Sequence, residues 1–109
     1  MVIQRLTGDT HITIPEQCSM RGEEVLFNCE TKNAPVNAQL PSINSLNYKW
    51  VEVRIFDADR NCGKNKITIK PSEGDRINGS SEEIVLGKNG QGAILIIFGK
   101  NDWKCIIFE

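Results

Sequence analysis

The chain has a single histidine, His11, and no two cysteines at C-x-x-C spacing. A catalytic or metal set built on imidazoles therefore has one ring to use, and no thiolate pair is presented to a metal ion. No serine sits in a nucleophile-elbow setting, so serine and cysteine hydrolase chemistry finds no constellation here. An excess of charge is lacking too: 13 Lys and Arg face 14 Asp and Glu, for a formal net charge of −1. That balance offers no electrostatic footprint to phosphate backbones or anionic lipid, which argues against nucleic-acid and membrane partners. Nowhere do twelve apolar residues run uninterrupted, so no membrane-spanning helix is expected. Helical periodicity is almost absent. The best helical candidate, 15–24, carries Pro15, Ser19 and Gly22 with a poor apolar stripe, enough for one loose turn.

What is present describes an ordinary globular domain. The chain has 109 residues, 39% hydrophobic and 25% charged, enough for one core and too few for two. Short β-rich runs punctuated by Gly, Asn and Asp predict strands near 2–6, 11–14, 24–29, 49–56, 66–70, 83–86, 92–98 and 103–108. Eight strands without crossover helices predict an all-β fold, an antiparallel β-sandwich of jelly-roll or immunoglobulin-like type. In 51–55 and 66–70 apolar and polar residues alternate strictly, which places Val51, Val53, Ile55, Ile67 and Ile69 on one buried face. In 93–98 and 105–108 both faces are apolar, as in strands covered on each side. A second subunit is one such cover, and a closed single-chain sandwich is the other. The first alternative makes Ile94, Ile96, Phe98, Ile106 and Phe108 a candidate oligomer interface.

The remaining motifs are weaker. Gly63-Lys64-Asn65, Gly87-Lys88-Asn89-Gly90 and Gly99-Lys100-Asn101-Asp102 read as hairpin corners with solvated tips. Residues 31–47 are rich in Asn, Pro and Ser and read as one long irregular loop. Asp57-x-Asp59-x-Asn61 places oxygen ligands at alternate positions, as a calcium loop does, but the glycine falls one place late and Thr68 stands where a bidentate Glu belongs. An Asx-rich turn is the better account, and no metal or cofactor is expected. The adjacent pairs Glu23/Glu24 and Glu82/Glu83 point to opposite faces of a strand and cannot converge on one glycosidic bond. Asn78-Gly79-Ser80 matches a glycosylation sequon and reads as a tight turn. Tyr48, Trp50 and Trp103 form a candidate ligand surface, since indole faces stack on sugars; packing in or over the core is the competing role. The start Met1 to Leu6 lacks the features of a secretion signal, so a cytosolic product with reduced thiols is expected.

From Val25 to Phe108 the chain resembles a β module of bacteriophage fibre, tailspike and other virion proteins. The likeness is carried in order by Val25-Leu26-Phe27-Asn28-Cys29, Val36-Asn37-Ala38-Gln39-Leu40-Pro41, the long strand from Val51 to Asp57, and Asn61-Cys62-Gly63-Lys64-Asn65. It continues through Ile67-Thr68-Ile69-Lys70-Pro71, Gly74-Asp75-Arg76-Ile77-Asn78-Gly79-Ser80, Glu83-Ile84-Val85-Leu86 and Gly99-Lys100-Asn101-Asp102-Trp103-Lys104. The resemblance implies a compact antiparallel sandwich without catalysis, often trimeric, that builds spikes or presents adhesive tips. On that basis the chain is expected to divide into an arm with one or two short strands, 1–24, and a β-sandwich, 25–109. The arm would clasp neighbours by adding an edge strand to a partner sheet. The expected function is that of a non-enzymatic virion protein, a capsid decoration (cement) or head-fibre protein made in the host cytoplasm. Its expected partners are the major capsid protein or fibre subunits, and copies of itself. The alternative is a receptor- or carbohydrate-binding tip module.

Overall fold

The computed structural model describes residues 2–15, 24–46 and 51–109. Among them there is no α-helix, and no helix long and apolar enough to cross a membrane. Ten strands follow one another: β1 (Val2–Leu6), β2 (Asp9–His11), β3 (Glu24–Cys29), β4 (Val36–Gln39), β5 (Glu52–Asp57), β6 (Ile67–Lys70), β7 (Arg76–Ile77), β8 (Ile84–Leu86), β9 (Gly92–Ile97) and β10 (Asp102–Phe108). A single 3₁₀ turn spans Ile43–Ser45. The fold is all-β.

The strands form two sheets, one ordered β1-β3-β5-β9-β10-β7 and the other β2-β4-β6-β8. The expected antiparallel arrangement is corrected here. β1, β3 and β5 are mutually parallel, as are β2, β4 and β6, and β7 lies parallel to β10. Parallel neighbours need a long return connection, usually a helix. In this chain the return path is itself a strand of the opposite sheet, so three successive coils each give one strand to each sheet. Among the named strands antiparallel pairing enters where β9 joins β5 and β10, and where β8 joins β6.

Parallel stacking brings similar side chains into register. Val2, Val25 and Val53 share one row, Phe27 meets Ile55, and Val36 meets Ile67, which in turn faces Leu86. The alternation read from the sequence holds, with Val51, Val53, Ile55, Ile67 and Ile69 all buried. Together with Phe27, Leu40, Ile43, Leu95 and Trp103 they form one core cluster drawn from both sheets. The Cα radius of gyration is 12.8 Å, about that expected of a single domain near 100 residues. Burying a side chain such as Ile or Phe contributes roughly 1.5–3 kcal/mol.

One further expectation changes. The described part of the segment 31–47, residues 31–46, is not one irregular loop: Val36 and Ala38 point inward between half-exposed Asn37 and Gln39, which makes β4, and Ile43 anchors the 3₁₀ turn in the core. Residues 2–15 carry two short strands. β1 and β2 pair with β3 and β4, and Leu6, Ile12 and Ile14 belong to the core cluster. Asn78 and Gly79 both adopt positive φ, 53° and 79°, in a tight turn bridging Ile77 and Ser80. The Asn78 amide is engaged as well: its Oδ1 accepts from Cys105 N–H at 2.9 Å and its Nδ2 donates to Cys105 O at 3.2 Å.

Candidate assembly face

The outer surface of the six-stranded sheet can be read row by row across the register. One row runs Ile3, Leu26, Arg54, Ile94, Ile106, each opposite the next on adjoining strands β1, β3, β5, β9 and β10. On one side of it lies the row Glu24, Glu52, Ile96, Lys104. On the other lies Arg5, Asn28, Phe56, Gly92, Phe108. This side is rich in apolar groups left open to solvent: Ile3 is 61% exposed, Ile106 56% and Ile96 39%. Leu26, Ile94, Phe56 and Phe108 are half-buried.

Within this face Arg54 is ion-paired with two carboxylates. Arg54 donates from Nε to Glu52 Oε2 at 2.8 Å, and its terminal nitrogen lies 3.1 Å from Glu24 Oε2. The hydrogen bond to Glu52, with both carboxylate charges, raises the guanidinium pKa further. Beside it Phe56 and Phe108 meet edge to face, ring centroids 5.1 Å apart. They close over Gly92, where a Cβ would lie 2.7 Å from Phe56 Cδ1 and 2.8 Å from Phe108 Cζ. Glycine lets the two rings cover the strand.

Of the interface residues expected from the sequence, Ile94, Ile96, Ile106 and Phe108 share this face. Phe98 follows β9 with the same parity and is 69% exposed. Among the described residues the cover expected on both sides of β9 and β10 is present on one side only. Ile3, Leu26 and Phe56 complete the face and were not foreseen. Parity along 24–29 and 51–57 places Leu26 and Phe56 opposite the buried positions, but only the parallel register sets them in rows with Ile94 and Gly92.

Trp103 is fully buried and cannot stack on a ligand from solvent. Tyr48 and Trp50 lie outside the described residues. Trp103 is an alternating inward residue of β10 between exposed Lys104 and half-buried Asp102, so burial of its large apolar ring outweighed exposure of its N–H.

At one end of the sheets the supposed calcium loop is a hydrogen-bonded knot. Asp57 accepts from the Thr31 hydroxyl at 2.5 Å and from the backbone N–H groups of Cys62 and Gly90 at 3.0 and 2.9 Å. Burial alone would push its pKa up, but these donors prevail and hold it at about 2. Asp59 accepts from Lys32 N–H, and Asn61 donates to Thr31 O, so each of the three side chains is engaged in hydrogen bonds within the chain. Among the described residues no cluster of His, Cys, Asp and Glu could hold a metal ion. Cys29, Cys62 and Cys105 are free and buried. Neither a protein-family model nor a curated protein matches this chain.

Proposed function

We propose that the chain is a non-enzymatic structural protein of a bacteriophage particle, a capsid decoration or head-fibre protein. It attaches to its neighbours through the outer face of the six-stranded sheet. The observation that carries this reading is the row Ile3, Leu26, Arg54, Ile94, Ile106, whose apolar members stand exposed or half-buried on either side of an arginine already ion-paired within the chain. An exposed patch rich in apolar side chains marks an interaction site. The resemblance to virion β modules supplies the particle context. Partners that fit are other copies of the chain and the major capsid protein or fibre subunits.

The test is the mass of the purified chain in solution, followed by its binding to preformed capsid shells. The wild-type chain is expected to self-associate or to bind shells. Ile96→Glu and Ile106→Glu each place an unpaired charge in the contact and are expected to weaken it at least about a hundredfold. A wild-type chain that stays monomeric and binds no shell overturns the proposal.

A further inference from the structure

The solvent side of the four-stranded sheet has the opposite character. Two polar rows cross its parallel strands: Asp9, Asn37, Thr68 and, beside it, His11, Gln39, Lys70. They line a groove of about 460 Å³ bounded by Asp9, Thr10, His11, Asn37, Gln39 and Lys70, within the size range of small-ligand sites.

The groove is built rather than incidental. Asn37 Nδ2 donates to Asp9 Oδ1 at 2.5 Å, and Gln39 Nε2 donates to Pro71 O at 2.8 Å and to Lys70 O at 3.3 Å. These bonds orient both amides before any ligand arrives, and among the described residues no protein donor reaches Asn37 Oδ1 or Gln39 Oε1. The Lys70 ammonium stands 3.8 Å from Glu83 Oε2 in a half-exposed pair that leaves hydrogens to donate.

The chemistry narrows the ligand. One carboxylate and one ammonium in the lining cancel, which gives a polyanion no net attraction. Among the described residues no Phe, Tyr, Trp or large aliphatic side chain lines the groove, so lipid and apolar peptide side chains find no apolar pocket. Fixed acceptors sit beside donors and repeat from strand to strand at about 4.8 Å, comparable to the length of one pyranose ring. A ligand whose hydroxyls both donate and accept answers that pattern.

We propose that this groove binds a neutral oligosaccharide lying across β2, β4 and β6, about one sugar per strand. The site is on the opposite sheet from the assembly face and does not depend on it. The experiment titrates the full chain with neutral tetrasaccharides of glucose, galactose, mannose and N-acetylglucosamine, read by amide chemical shifts. At least one is expected to shift the side-chain amides of Asn37 and Gln39 and the backbone of 37–39 and 68–70. Gln39→Ala should weaken that binding at least about tenfold. Lys70→Ala, a change at an exposed position, should weaken it severalfold and keeps the test valid should Gln39→Ala fail to fold. Ile106→Glu should leave it unchanged. The proposal is overturned by no binding at millimolar sugar, by shifts mapping to the six-stranded sheet, or by a sulfated tetrasaccharide binding better than every neutral one.

Discussion

Asp57 joins three loops through one side chain: Thr31 follows β3, Cys62 follows β5 and Gly90 precedes β9. Its folded pKa of about 2 lies below the ordinary value of 3.8, so the ionised form is the one that folding favours. The resulting stability is fully present above about pH 4 and is lost as pH falls towards 2, an effect on the order of 2 kcal/mol. Denaturant unfolding at a series of pH values should show that loss. Asp57→Asn should abolish this acid-dependent loss and cost about 2–4 kcal/mol at pH 7, because an amide cannot satisfy the same donors. An unchanged unfolding midpoint at pH 7 would contradict the role given to Asp57. The thiols make a second expectation at this scale. Burial, with the Asp57 charge nearby, raises Cys29 to about 12; burial and the Asp57 contact raise Cys62 to about 11; burial raises Cys105 to about 11. Since the thiolate is the reactive form, alkylation at pH 8 followed by mass spectrometry should leave all three unmodified in the folded chain and modify all three in denaturant.

At the scale of elements, β9 and β10 contribute differently on their two sides. Inward, Ala93, Leu95 and Trp103 pack into the core; outward, Ile94, Ile96, Ile106 and the Phe108 ring face solvent. The Phe56 and Phe108 rings hold part of that outer side flat by leaning over Gly92. Gly92→Ala should force the rings apart and cost about 1–3 kcal/mol in thermal or denaturant unfolding. It should also weaken whatever association the face supports, since the surface presented to a neighbour changes shape. Full stability with intact association would show that the rings move aside at no cost.

At the scale of the whole molecule, the parallel coils depend on one another. β1 and β2 cover the edges of β3 and β4, and Leu6, Ile12 and Ile14 complete the core. Three buried side chains at about 1.5–3 kcal/mol each approach the 5–15 kcal/mol that separates folded from unfolded domains. Deletion of residues 2–15 is therefore expected to abolish cooperative unfolding and to give an aggregating chain, as judged by circular dichroism melts and light scattering. A truncated chain that melts like the full one would show that these residues are a separable arm. The molecule then presents two unlike surfaces, an apolar one on six strands and a polar, charge-balanced one on four.

Much of the local structure was legible in the residues themselves. Strict alternation marks Val51, Val53 and Ile55 as inward, and the unbroken apolar run 93–98 shows that its strand has an outward apolar face needing an explanation. Both conclusions follow from the two-residue period of a strand, which is a property of the chain alone. That period is the same in parallel and antiparallel sheets, so it identifies a residue's face but not its neighbour. The placing of Ile3 beside Leu26, the rows that make one face apolar and the other polar, and the burial of Trp103 were decided by the tertiary structure. They depend on contacts between residues far apart in sequence, where the winding of successive coils selects the register.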